Sequence, residues 1–220
     1  MEAAYRAKEI AQRYLPQRAH YWYSRCKLAT DPLYVGVGAA LRDASAPLLD
    51  LGCGIGLLAH TLRDQGFVAA YRGIDNDAAK IASAREAAER ASLREVHFET
   101  LDLANNRFPQ HRGSVALLDV LQFMPAEAAQ ALIENAIACI AGDARLVIRT
   151  GLERSGARMR FTRAVDTGSR KIGWMNAAPH WYPTRTSLEI LFARYGLYAK
   201  FVPLTGLLPF DNWLVVARRE

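Results

Sequence analysis

The sequence predicts an α/β protein, a single domain over residues 1–220 built on a doubly wound sheet of seven strands that is mostly parallel and has an antiparallel last strand. Three observations predict it. Apolar runs of four to eight residues alternate with amphipathic stretches from residue 47 onward, the pattern of βαβ units around a parallel sheet. A glycine-rich turn, GCGIG, joins the first of these runs to a helical stretch. The last two runs are separated by a connection too short for a crossover helix, which makes that pair antiparallel.

Taken in order, the chain opens with MEAAYRAKEIAQRYL, where Glu2, Arg6, Lys8 and Glu9 interrupt an apolar periodicity. That is a helix and not a secretory signal, and it begins an N-terminal helical segment over residues 1–45. The seven strands are expected at residues 47–51, 70–75, 96–101, 115–121, 145–150, 198–203 and 213–217. Between them, GLLAHTLRDQ runs into Gly66 as a C-terminal stop, and Asp77 caps AAKIASAREAAERA. Pro125 opens AEAAQALIENAIACIA in its first turn, where a missing N–H costs nothing. After the fifth strand the periodicity fails, and residues 151–183, with Gly156, Gly168, Gly173, Pro179 and Pro183, read as a lid-like insertion. A helix, TSLEILFARY, then stops at Gly196.

Composition narrows the function classes. With 51% hydrophobic residues, 28 Lys plus Arg against 22 Asp plus Glu, and three Cys, the chain is neither disordered nor a disulfide scaffold. No apolar run approaches the roughly 20 residues of a bilayer span. The odd number of Cys, without metal-ligand spacing, suits a reducing compartment, and the cytoplasm is the expectation. Arg154, Arg158, Arg160, Arg163, Arg170 and Lys171, opposed by Asp166, concentrate positive charge in the insertion, as a solvated loop or as a surface for an anionic partner.

The chemistry lies in LLDLGCGIG, residues 48–56. Glycines at 52, 54 and 56 let the backbone turn tightly and approach a ligand, and the helix that follows presents free N–H groups. The spacing is G-x-G-x-G, not the G-x-G-x-x-G of pyrophosphate-binding loops, and Asp50 stands two residues before the first glycine. A carboxylate there repels a diphosphate but accepts a hydrogen bond, direct or through water, from an ammonium group. Asp75 ends the second strand 21 residues beyond Gly54, where a carboxylate accepts both hydroxyls of a ribose.

These residues resemble the first motifs of the class I S-adenosylmethionine-dependent methyltransferases, whose fold is Rossmann-like with a reversed final strand. The resemblance covers roughly residues 46–220. It implies S-adenosylmethionine as cofactor, with Asp50, Gly52, Cys53, Gly54 and Gly56 around the methionine part and Asp75 on the ribose. It places Asn76, Asp102 and Leu103 beside the adenine. DVLQFMP, residues 119–125, resembles the family's fourth-strand segment and adds Asp119 to the cofactor site. Small-molecule members often have a His where Gln122 stands.

In that family the methyl donor is already activated, so the protein aligns a nucleophile, excludes water and removes a proton where one must leave. His180 is the first candidate base and His20 the second, while His60 reads as structural. Tyr21, Tyr23, Gln122, Trp174 and Trp181 are candidate acceptor contacts, the aromatic ones also readable as core. No metal site is expected. YWYSRCKLATDPLY, IRTGL, IGWM and PFDNWLVVARR are similar to segments of small methyltransferases of bacterial aryl-polyene or xanthomonadin-type pigment pathways. That likeness implies O-methylation of a phenolic small molecule, in one version while it is tethered to an acyl carrier protein. A nucleic-acid methyltransferase is disfavoured by the absence of an N/D-P-P-Y/F motif. A methyltransferase-like binding protein without turnover is the third reading. The sequence leaves the oligomeric state open.

Overall fold

The computed structural model describes residues 2–103, 108–153, 181–206 and 211–219. Seven strands, β1 (Leu48–Leu51), β2 (Tyr71–Asp75), β3 (Val96–Thr100), β4 (Ser114–Leu118), β5 (Leu146–Gly151), β6 (Leu197–Pro203) and β7 (Asn212–Arg219), form one sheet. Their order is β3-β2-β1-β4-β5-β7-β6. The first five are parallel neighbours, and β7 runs antiparallel to both β5 and β6. The doubly wound sheet and the reversed last strand are therefore as expected.

The alternation of side chains along each strand feeds two cores. Leu48, Val147 and Leu214 point to one face, which is covered by α3 (Leu33–Leu41), α4 (Leu57–Asp64) and α5 (Ala78–Arg90). Leu49, Ile148 and Val215 point to the other, which is covered by α6 (Ala126–Cys139) and α7 (Arg185–Arg194). Strands buried on both faces are near-continuously apolar, and β1 and β5 are buried at every position. Each fully buried Leu or Ile contributes about 1.5–3 kcal/mol over its exposed state. Asp77 caps α5 as expected, accepting from the amides of Ala79 and Lys80.

Three local expectations are corrected. The fourth strand was expected to continue to residue 121, but it ends at Leu118 because Asp119 takes a left-handed φ of 60°, and Leu121–Phe123 form a single tight helical turn. Pro125 precedes α6 as its N-cap instead of lying within its first turn. The opening helix α1 (Glu2–Gln12) is shorter than its periodicity suggested; two further helices follow, α2 (Arg18–Thr30) and α3. The helix α2 ties the two sides of the sheet's carboxyl rim together. His20 meets Ser83 of α5 at 2.8 Å, and Lys27 lies 3.8 Å from Asp119 at the end of β4.

Candidate cofactor-binding site

The order of the strands reverses at β1, with β2 on one side and β4 on the other, and ligands of open α/β sheets bind in the crevice outside the carboxyl ends at such a point. The glycine loop occupies it. At Gly52 the chain passes so close to the end of β4 that a Cβ would fall 2.6 Å from Val120 Cγ2. At Gly54 the reverse holds: φ is +56° and no heavy atom lies within 4 Å of where a Cβ would be, so the open space faces a backbone that only glycine adopts without strain.

Two carboxylates flank the loop. Asp75 accepts from the Gly54 amide at 2.8 Å through Oδ2 and from the Asp77 amide at 3.0 Å through Oδ1, which fixes the loop to the end of β2. Asp50 lies beneath the loop, 2% exposed, and Tyr71 Oη donates to its Oδ2 at 2.5 Å. Its other oxygen, Oδ1, is buried and has no donor among the described residues. Burial pushes the Asp50 carboxyl from 3.8 up to about 7; the Tyr71 hydrogen bond works against the shift and the nearby Asp75 charge adds to it.

Of the other expected cofactor residues, Cys53 is part of the loop, its thiol pushed up by burial and by Asp50 and Asp75. Gly56, with φ of +78°, caps α4. Asn76 is exposed just beyond β2, and Asp102 and Leu103 follow β3 half-buried, all on the same rim. Asp119 is also on the rim but is engaged by protein: Arg149 Nη1 donates to it, and Lys27 Nζ lies 3.8 Å away. Arg149 also pairs with Asp31 at 3.0 Å, and Lys27 with Asp31 at 2.8 Å. Burial alone would raise the Asp31 carboxyl, but Arg149 and Lys27 outweigh it and hold it below the usual range.

On the expected acceptor side, Trp181 Nε1 donates to the Met124 carbonyl at 3.0 Å. This brings Trp181 beside the turn that carries Gln122, itself buried with Oε1 unpartnered among the described residues. Tyr21 is on α2, where Arg25 Nη1 donates to its hydroxyl at 3.2 Å, and Tyr23 packs against the α3–α5 core. A cavity of about 70 Å³ between Lys27, Asp31, Arg149, Leu204 and Asn212 lies at the same rim. His180, Trp174 and the basic residues from Arg154 to Lys171 lie outside the described residues. His20 is bonded to Ser83, and burial lowers its pKa; His60 is fully buried, with Arg13 Nη1 3.1 Å from its Nδ1, as a structural histidine would be. Among the described residues no three His, Cys, Asp or Glu side chains gather as metal ligands do.

Sequence reasoning passed over Tyr71, Tyr14, Lys27, Asp31 and Arg149. The signal for Arg149 was present, a lone cation within the apolar LVIRTG strand. Tyr14 Oη donates to the Ile55 carbonyl at 2.9 Å, a contact between distant segments that no spacing encodes.

Comparison with known proteins places this geometry. A family model described as a methyltransferase domain matches residues 48–142. Magnesium protoporphyrin IX methyltransferase from Synechocystis PCC 6803, crystallised with S-adenosylhomocysteine, superposes with a TM-score of 0.64 at 19% identity, over 86% of this chain and 82% of its own. An O-methyltransferase family protein from Burkholderia thailandensis gives 0.69 at 17% identity, over 97% and 63%. The neocarzinostatin-pathway O-methyltransferase NcsB1, solved with S-adenosyl-L-homocysteine and 1,4-dihydroxy-2-naphthoic acid, gives 0.61 at 16% identity, over 90% and 56%. This chain thus spans less than two thirds of the length of the last two, and at such identities what is shared is the fold. No curated protein matches the chain. Residues 48–142 are thus similar to a methyltransferase domain, and the chain shares its fold with methyltransferases crystallised with S-adenosylhomocysteine or S-adenosylmethionine. The likeness to aryl-polyene pathway enzymes has no counterpart among the neighbours named.

Proposed function

We propose that the chain holds S-adenosylmethionine against the glycine loop and directs its methyl group to an oxygen of a small, largely apolar acceptor. The observation that carries this is the bare Oδ1 of Asp50. A buried carboxylate oxygen without a donor, under a loop with open space at Gly54, is completed by the ammonium group of an amino-acid-bearing ligand. Asp75 uses one lone pair of each oxygen on backbone amides, leaving capacity for two ribose hydroxyls. Asn76, Asp102 and Leu103 are on the rim where the base would rest. The bound cofactor supplies an activated methyl group.

The remaining work belongs to the chain: to orient the acceptor, keep water out and take its proton. On this reading Tyr21, Tyr23, Gln122, Trp174 and Trp181 line the acceptor, and His180 takes the proton from a phenolic hydroxyl. Residues 154–171 meet an anionic acceptor or an acidic acyl carrier. NcsB1, with its dihydroxynaphthoic ligand, supports an aromatic acceptor class. The test is label transfer from methyl-tritiated S-adenosylmethionine into a cell extract. Label in a solvent-extractable, nuclease-resistant product is the expected result. Label in nuclease-sensitive polymer points to nucleic acid, and no transfer points to a binding protein.

A further inference from the structure

We propose that Tyr71 is a positioning residue for the cofactor's amino-acid end: by donating to Asp50 Oδ2 it holds the carboxylate in one orientation, with Oδ1 alone presented to the ammonium group. This rests on the cofactor reading above. The strands explain how the contact arises. In the β1–β2 register Leu48 faces Tyr71 and Asp50 faces Gly73. Gly73 leaves no side chain between Tyr71 and Asp50, and a Cβ there would fall 2.9 Å from Cys53 Sγ and 2.7 Å from Phe98. The phenol therefore reaches along the strand to its diagonal neighbour, Asp50, at 2.5 Å. Tyr71 is itself held in place, 2% exposed, with its ring edge-to-face on Phe98 at 5.8 Å.

The arrangement has two consequences for binding. A carboxylate with two bare oxygens rotates and meets a donor in several ways; one oxygen already engaged leaves a single geometry and loses less entropy on binding. The Tyr71 hydrogen bond also favours the charged carboxylate, the form that an ammonium group needs. The titratable groups around Asp50 are Tyr71 and Asp75 of β2, Cys53 of the loop and, behind Tyr71, Tyr14. Burial pushes Tyr14, Tyr71 and Cys53 well above their usual values, so they stay neutral near pH 7.

Two probes separate this role from a structural one: S-adenosyl-L-homocysteine, which carries the amino-acid group, and 5′-methylthioadenosine, which lacks it. Calorimetry is run on the unaltered chain, on Tyr71→Phe and on Asp50→Asn, with thermal unfolding confirming that each variant is folded. In Tyr71→Phe the affinity for S-adenosyl-L-homocysteine at pH 7 should fall roughly tenfold while that for 5′-methylthioadenosine changes less than about twofold. The pH at which S-adenosyl-L-homocysteine affinity is half-maximal should move upward. In Asp50→Asn, which keeps a partner for the Tyr71 hydroxyl and removes the charge, the dependence around pH 7 should vanish. Equal losses for both probes would assign Tyr71 to the fold alone and overturn the proposal, as would no loss for either. If Tyr71→Phe does not fold, an Asp50→Asn profile as pH-dependent as that of the unaltered chain overturns it. Failure of the unaltered chain to bind either probe overturns the cofactor reading itself and is distinguishable from all of these.

Discussion

Burial disfavours the charged forms of both Asp50 and His60, and their effects on stability run in opposite directions. The Asp50 carboxyl is raised to about 7 in the fold from 3.8, so the stability it favours is present below the lower value and lost as pH rises through the upper. The His60 imidazole is lowered from 6.5 to about 3, chiefly by burial and then by Arg13, so its stability is present above 6.5 and lost as pH falls through about 3. Each slope is about 1.4 kcal/mol per pH unit, and between about pH 4 and 6.5 they nearly cancel. Asp50→Asn should remove one of them. Urea unfolding of that variant should show stability rising steadily with pH over this window, and at pH 8 it should exceed the parent by on the order of 2–4 kcal/mol. A profile parallel to the parent's would contradict the burial of a titrating Asp50. The position of Asp50 before the glycines was legible in the sequence; its partner Tyr71 was not, because a diagonal contact between neighbouring strands depends on register, not on spacing.

At the scale of elements, the glycine loop and the β4–β5 rim carry separate predictions. Gly54→Val places a β-branched side chain where φ is +56° and where the ligand must approach; it should abolish S-adenosyl-L-homocysteine binding in calorimetry while leaving a cooperative unfolding transition. Undiminished binding would mean that the loop is not the site. Arg149→Met removes the counter-ion of Asp31 and Asp119 from a side chain 5% exposed, and should cost about 3–5 kcal/mol by urea unfolding, with Asp31→Asn in the same chain restoring part of the loss. A loss below about 1 kcal/mol would show that the network is idle. The strands were legible because double burial forces short apolar runs bounded by turn residues. The fourth was overextended because Val120 and Leu121 read as a continuation of the apolar strand while Asp119 has already turned the chain into a helical turn. The helices α2 and α3 were hard to read for opposite reasons. On α2, His20 and Lys27 meet other polar groups, so no continuous apolar stripe marks it. Helix α3 is apolar on most sides and holds Gly36 and Gly38, which weaken any helical signal.

Across the whole molecule, the sheet order, the reversal at β1 and the loop at that reversal follow from the βα alternation, and the family match coincides with the stretch where that alternation is clearest, residues 48–142. The contacts of α2 and Trp181 follow no such rule, since Lys27 meets the end of β4 and Trp181 meets the turn after it only through long-range pairing. The central claim is that these parts form one S-adenosylmethionine site, and calorimetric titration with S-adenosyl-L-homocysteine tests it most directly. One site per chain of roughly micromolar affinity is expected, weakened by about 2–3 kcal/mol in Asp75→Ala through loss of a charged two-bond acceptor. An unaltered chain that shows no binding at millimolar ligand, or an Asp75→Ala variant that binds as the parent does, would contradict it.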